Sequence, residues 1–527
     1  MNIQRTLITL CFTSVLIIVF SCQQFERKQT SNGSLSGEEL SQIYCTSCHL
    51  YPEPVLLDKK TWKNHVLVRM SAYLGIFNDN VQYYDKMPSH WLEPDYGGLR
   101  VKQAKIYPDE PLISREQWEK IRDFYLSNAP ESISSPGVED IEEDLKDFEI
   151  HTLQKQGHLN PHVTAISIVN QNIYAAIYHS KILKLTKTGL ITDSAEIEGM
   201  VVDIQRRPNG LSVVDIGSRH GRDLPLGTFS ICDDISTLRN GKTKLYWDSL
   251  QRPVHVNYAD LDNDGSLDIV LCEYGNQLGQ LCWYKKNENG SYNRQVLFND
   301  DGSIGTEIRD FDKNGFKDVM LLHANGDEGI DIFYNEDGKN FRREVVLRFS
   351  STNGSTSFEL VDWDGDGDED ILYTEGDNGD YVPLLKPHHG IRVFENDGSQ
   401  NFVELFHLPM NGVYKAKARD FDKDGDVDIA AISFHPNFKK GSKEGFVYFE
   451  NQGNNEFRPI SIPQVADSRW MCIDVGDIDQ DGDLDIVLGA FDIKTPEVPD
   501  RVAKNWDLKS TPIVLLENVA NKVVDED

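Results

Sequence analysis

A nine-residue acidic motif, Asp-x-Asp-x-Asp/Asn-Gly-x-x-Asp, recurs five times between Asp260 and Asp485, at intervals of roughly 50 to 60 residues, the period of a repeat architecture. The copies are Asp260, Asp262, Asp264, Asp268; Asp310, Asp312, Asn314, Asp318; Asp362, Asp364, Asp366, Asp370; Asp420, Asp422, Asp424, Asp428; and Asp477, Asp479, Asp481, Asp485. Oxygen ligands at positions 1, 3, 5 and 9, with Gly at position 6 for a sharp turn, are how a chain gathers hard ligands around calcium. An EF-hand would need Glu at position 12 and helices on both sides. Position 12 is instead Leu271, Leu321, Tyr373, Ala431 and Leu488, and each loop runs into a strand-like stretch such as Ile269-Val270-Leu271. Turn chemistry alone explains one such loop, whereas five in register point to up to five calcium ions.

The formal charge of -32 over 527 residues agrees, because bound cations would relieve part of the self-repulsion. Five divalent ions would still leave about -22, which excludes nucleic acid as an expected partner.

Each motif is followed by an apolar or aromatic strand ending in Asn or a close equivalent: Phe333-Tyr334-Asn335, Phe394-Glu395-Asn396, Phe449-Glu450-Asn451 and Leu516-Glu517-Asn518. A Gly-rich turn and an outer strand come next, as at Phe341–Leu347, so one repeat is four short antiparallel strands, a propeller blade. Counting backwards, Val201–Asp215 reads as a blade whose acids are replaced by Arg206, Arg207 and Pro208, and His162–Leu185 reads as another, giving seven. The last blade lacks an outer strand, and Phe148–Gln154 is expected to supply it and close the ring. The repeats resemble the FG-GAP/VCBS family of calcium-binding propeller repeats, which also builds the integrin alpha-subunit head, over about residues 148 to 520. The resemblance implies fold and calcium sites; such propellers serve adhesion, ligand recognition and scaffolding alike.

A second constraint lies near the start. Cys45-Thr46-Ser47-Cys48-His49 has the spacing for covalent haem: thioethers from Cys45 and Cys48, and an axial imidazole from His49. A redox dithiol or half a zinc site would need a thioredoxin-like context or a second ligand pair, and neither is present. Gly37–Tyr44 reads as a helix leading into the motif, and Ser114 with Gln117 forms a capping box for a second helix carrying Trp118, Ile121, Phe124 and Tyr125. Residues 34–130 resemble a class I-like monohaem cytochrome c domain. The sixth ligand is expected from Met70, in Trp62-x-x-x-Val66-x-x-x-Met70, with Met87 as the alternative and His65 and His90 behind them.

The expected organisation is therefore multidomain, a small all-α cytochrome c domain followed by an all-β seven-bladed propeller. Residues 1–21 read as a lipoprotein signal, with an apolar run from Leu7 to Phe20 too short to span a bilayer. Val19-Phe20-Ser21-Cys22 resembles a bacterial lipobox, which makes Cys22 the lipidation site and points to an outer-membrane anchor. Residues 22–33 form a tether, 131–147 an acidic linker that either spaces the domains or lets the haem domain swing, and 521–527 a tail. Among the other cysteines, Cys272 and Cys282 fall on consecutive strands and either pair across the hairpin or stay buried as thiols, like Cys232 and Cys472.

The strand ends beyond the motif carry Glu273, His323, Glu375 and His435, with Asp492, His179 and His220 at similar places, and these are weak candidates for a catalytic or binding ring on the opposite face. Electron transfer to a redox partner protein or from a small-molecule donor is the leading functional expectation, with the propeller as a docking or ligand-recognition platform. Alternatives are an exported oxidoreductase with substrate on the propeller face, and a surface adhesin or glycan-binding protein.

Overall fold

The computed structural model describes residues 35–76, 93–153, 162–239, 242–379 and 384–520. The signal and lipobox with Cys22, the tether, Met87, His90 and the tail lie outside the described residues.

Strand order fixes the architecture. Seven four-stranded antiparallel sheets follow one another along the chain, six of them in simple sequential order. The seventh consists of Trp470–Gly476, Asp485–Ala490 and Ile513–Asn518, completed on its outer edge by Phe148–Thr152. Phe148 lies opposite Asn518 and Thr152 opposite Val514, so the strand expected from sequence closes the ring. The protein is a seven-bladed β-propeller, with blades 1 and 2 built as the degenerate copies required.

The burial pattern explains why these sequences make strands. The second strand of each motif-bearing blade, such as Asp268–Glu273 or Asp428–Ser433, is buried at every position, because neighbouring blades cover both of its faces. Outer strands such as Phe341–Phe349 are mostly solvated. The core is thus a set of inter-blade layers, for example Phe148, Phe421, Tyr448, Trp470, Leu488 and Leu516 between blades 6 and 7. All seven blades carry a register shift at the same place on the innermost strand: Val163/Ala165, Val201/Asp203, Pro253/His255, Ser303/Gly305, Ser355/Ser357, Val413/Lys415 and Trp470/Cys472. A bulge there adds twist where the blades crowd the axis. Its presence in blades 1 and 2 marks them as the same repeat without the acids.

The N-terminal module is helical. Ser36 and Glu39 form a capping box ahead of helix Gly37–Cys45, and Ser114 and Gln117 form the expected one ahead of Arg115–Asn128. Leu40, Trp62, Ile121 and Tyr125 are the centre of a small core, with the Trp62 and Tyr125 rings 4.5 Å apart. A helical run from Lys59 to Tyr73 includes a π-turn over Trp62–Val66.

Residues 131–147 are not a free tether. Glu142 pairs with the outer strand of blade 6, its N–H donating to the Pro459 carbonyl at 3.0 Å and its carbonyl accepting from Ser461 N–H at 2.8 Å. Val138 N–H donates to Glu444 Oε1 at 2.7 Å, and Val138 and Ile141 pack on the layer between blades 5 and 6. These two apolar residues, set among acids, turn the segment into a strap.

Closure makes a quantitative expectation. Phe148 is 5% exposed and packs edge-on against Phe421 and Tyr448. Phe148→Ala should lower propeller stability by about 3–5 kcal/mol in denaturant unfolding; an unchanged midpoint would show that the closing strand is dispensable.

Candidate functional site

The five acidic loops join the first and second strands of blades 3 to 7, so all five emerge on one face of the disc. In four of them three carboxylates bring ligand atoms within 4.8 Å of one another: Asp260, Asp262, Asp264; Asp310, Asp312, Asp318; Asp362, Asp364, Asp370; and Asp420, Asp422, Asp428. The loops are held open by their own backbone. Position 1 accepts from positions 5 and 6, as in Asp264 N–H and Gly265 N–H to Asp260 at 3.0 and 2.7 Å. Position 5 accepts from position 7, as in Ser266 N–H to Asp264 at 2.8 Å and Phe316 N–H to Asn314 at 2.7 Å. Gly at position 6 is there for conformation: φ runs from 86° at Gly265 to 102° at Gly425, and a Cβ would meet nothing. Position 4 is also left-handed, and in four loops it is a non-glycine: Asn263, Lys313, Lys423 and Gln480.

Position 9 does a second job that the motif does not announce. One oxygen of Asp318 accepts Phe311 N–H at 2.8 Å, bracing the loop, while the other accepts Asn335 N–H at 2.7 Å from the end of the third strand. The same pair of bonds occurs at Asp268, Asp370, Asp428 and Asp485. Burial raises all five carboxyls, to about 7 for Asp428 and about 6 for Asp485. The terminal asparagine of the third strand then extends the link: Asn335 Nδ2 donates to Leu261 O of the preceding blade at 2.7 Å, and its Oδ1 accepts Gly338 N–H at 2.8 Å. Asn518 does the same, to Phe421 O at 2.8 Å and from Ala520 N–H at 3.0 Å. The recurring Asn was visible in sequence; its coupling to the ninth Asp was not.

The strand-end residues on the opposite face make bonds within the chain. Glu273 Oε2 accepts Gln251 N–H at 2.5 Å and its Oε1 accepts from Gln280 at 2.6 Å. His323 sits 3.3 Å from Asp331, which also binds Arg343 at 2.7 Å. Glu375 binds Arg392 at 2.7 Å and Asn353, and burial pushes its carboxyl up to about 8 against the pull of that guanidinium. His435 faces Glu497 at 3.2 Å, beside Arg469. Asp492 accepts Arg469 N–H at 2.6 Å, and His179 meets the Glu198 carbonyl. Their strands are covered on both sides, so each side chain is spent on locking its own or an adjacent blade.

Cys272 and Cys282 do not pair. Their strands are in register with Cys272 opposite Leu281 and Cys282 opposite Leu271, which points the two thiols to opposite faces of the sheet and into different inter-blade layers. Cys232 and Cys472 are likewise buried thiols, raised by burial to about 11 and about 12.

In the helical module Cys45 ends helix Gly37–Cys45, with its thiol against the Tyr125 hydroxyl, and Cys48 is exposed one turn on. Burial pushes the Cys45 thiol up to about 11, the opposite of an activated redox thiolate. The His49 ring is 7% exposed, and its Nδ1 lies 2.8 Å from the Leu50 carbonyl. A carbonyl only accepts, so Nδ1 carries the proton and Nε2 the lone pair. Met70 packs into the same cluster as Tyr44 and Cys45.

The repeat signature of the blades matches known sequences: residues 260–321, 310–373 and 420–488 match the FG-GAP-like repeat. Those segments are FG-GAP-like repeats. All five acidic loops of these FG-GAP blades lie inside the matched residues. No curated protein matches the chain. Among solved structures, the Pan2 WD40 domain of Neurospora crassa is 8% identical, with a TM-score of 0.44, over 73% of this chain and 98% of that chain. The computationally designed Ika8 protein gives 8%, 0.41, 70% and 100%. BBS1N, solved in complex with ARL6DN, gives 8%, 0.44, 72% and 99%. The seven-bladed assignment rests on the sheet topology itself.

The asparagine link is testable. Asn335→Ala strips the partners from Leu261 O, Lys317 O and Gly338 N–H in a fully buried place. It should cost about 2–3 kcal/mol by chemical denaturation, and a loss below measurement error would mean that the ninth Asp alone holds the turn.

Proposed function

We propose that this protein carries covalent haem c in its helical module and transfers electrons, on an FG-GAP propeller stiffened by up to five calcium ions. The observation that carries the reading is the donor set. Cys45 and the Met70 thioether pack against one small aromatic core, and the sequence sets Cys48 and the buried His49, its Nδ1 held by the Leu50 carbonyl, within one turn of Cys45. In this role Cys45 and Cys48 would hold the porphyrin through thioethers, and His49 Nε2 and the Met70 sulfur would ligate its iron. Bound haem iron would supply one-electron exchange, and a Met ligand opposite His raises its potential. Trp62 and Tyr125 exclude water from that core; the Tyr125 hydroxyl is committed to the Pro52 carbonyl at 2.9 Å and the Trp62 indole N–H to Pro54 O at 2.8 Å.

Support for calcium comes from the third loop position. Asp262 and Asp479 each have a buried carboxylate oxygen without a hydrogen-bond partner, as expected of a ligand atom aimed at a cation. Lipidation at Cys22 and export to the outer membrane fit the same reading, since haem attachment and abundant calcium both belong outside the cytoplasm. The redox partner is a protein or a small electron donor, and the propeller is the surface for docking a protein or glycan ligand. That Glu273, His323, Glu375 and His435 have partners within the chain supports a reading in which the helical module carries the redox chemistry.

Two measurements check this. Full-length protein expressed with a cytochrome maturation system should keep its pigment through denaturing electrophoresis, and a Cys45→Ser/Cys48→Ser double variant should lose it; a colourless wild type would overturn the haem assignment. Chelation of the purified protein should lower the propeller melting temperature. The loss is about 2.7 kcal/mol for each site that had been at a hundredfold excess over its Kd, and an identical melt with and without chelator would remove calcium from the account.

A further inference from the structure

We infer that the propeller is a working part of the proposed haem site: loops on the face opposite the acidic motifs hold the helix that carries Met70, with Tyr73 and Gln277 as positioning residues for the sixth ligand. This rests on the haem reading above. The helix Leu67–Tyr73 is the last part of the helical run that begins at Lys59 and is interrupted by the π-turn over Trp62–Val66, and a run of that length is marginal by itself in water. Its last residue reaches across to blade 3, where the Tyr73 hydroxyl donates to Gln277 Oε1 at 2.7 Å. Tyr107 packs on the Tyr73 ring at 5.0 Å between centroids and brings its own hydroxyl to the same oxygen at 3.4 Å. Burial raises the Tyr73 hydroxyl, so it stays a neutral donor.

Gln277 is not a mobile loop residue. It is 5% exposed, and its loop is gripped by the fully buried carboxylate of Asp223 from blade 2: Oδ1 accepts Gln277 N–H at 2.8 Å and Leu278 N–H at 3.0 Å, and Oδ2 accepts from Asn276 at 3.1 Å. The backbone of that same aspartate binds the helical module. Its N–H donates to the Tyr96 carbonyl at 2.8 Å, and its carbonyl accepts from Arg100 at 3.0 Å, while Arg100 also reaches Gln251 Oε1 at 2.5 Å. The approach is close enough that Gly97, with φ at 89°, has no room for a Cβ, which would lie 2.5 Å from the Asp223 carbonyl carbon. Leu384 of blade 5 packs against the same small cluster as Cys45, Trp62 and Met70. Propeller groups therefore hold the Met70 helix at its C-terminal end through Tyr73 and add Leu384 to the cluster it packs on.

A docking contact that merely tethers the module would leave the iron coordination alone; one that positions the helix would not. The test uses full-length holoprotein with Tyr73→Phe, which keeps the ring, and Gln277→Ala, which lies outside the helical module. Hydrogen exchange over residues 67–73 should speed up by about tenfold in both variants, the loss expected for one buried hydrogen bond. The sulfur-to-iron charge-transfer band of the oxidised protein should weaken, and the midpoint potential should fall relative to wild type. Faster exchange with band and potential unchanged would reduce the contact to docking and overturn the inference, as would unchanged exchange. Haem absent from the wild type would overturn the reading beneath it, whereas haem present with an intact band in both variants overturns this inference alone.

Discussion

The ring closes where Phe148 lies opposite Asn518, and that asparagine joins three pieces that would otherwise be separate. Its backbone N–H is bound by the ninth aspartate of the last loop, Asp485, at 2.9 Å, and its side-chain amide reaches Phe421 O at the preceding blade's loop. Its strand carries the N-terminal residues 148–152 on one edge and Asp485–Ala490 on the other. A propeller has no central core to rescue a weak blade; each sheet is stable only while both neighbours cover it. An open seam between blades 1 and 7 would expose the layers on both sides of it, so the cooperativity of the disc depends on this one join between sequence ends almost 370 residues apart.

How much of this was legible in sequence follows from the range of the interactions. Motif period, strand pattern and the closing strand at Phe148 are local features, and so is the Ser114–Gln117 capping box; each appears in the structure where its residues placed it. The second role of the ninth aspartate was hidden because a carboxylate in a calcium-like motif has a sufficient reason to exist already. Lys313, Lys423 and Gln480 hold left-handed backbone without being glycine or asparagine, so residue type gave no sign of it. The burial of Glu273, His323 and Glu375 was not legible, because burial between blades is set by neighbours some 50 residues away. Asp331 diagonal to His323 and Arg392 diagonal to Glu375 are partners that only the pairing register identifies.

The docking of the helical module was beyond sequence for the same reason. Tyr73 meets Gln277 and Arg100 meets Gln251 across more than 150 residues, and the acidic stretch between the domains reads as solvated. Val138 and Ile141 are the only hint that it is laid down on blades 5 and 6. With the strap bound at Glu142 and Val519 N–H bonded to Asp147 O at 2.8 Å, the connection leaves the module little freedom to swing. Electron exchange in such a molecule would depend on partners coming to a fixed site.

The two faces of the disc are mechanically connected by the second strand of each blade. In blades 3 to 6 it begins at the ninth aspartate on the loop face and ends, five residues later, at Glu273, His323, Glu375 or Ser433 on the other, with every residue between them buried. The ninth aspartate fixes the start of that strand and the end of the third through its two oxygens. Strands packed on both faces transmit such restraint because interiors are close to incompressible. In blade 3 the far end of this path is Glu273, bound to the backbone of Gln251, and Gln251 is the residue that Arg100 of the helical module grips. In blade 3 these contacts thus run from the acidic loop to Gln251, where Arg100 of the helical module is held.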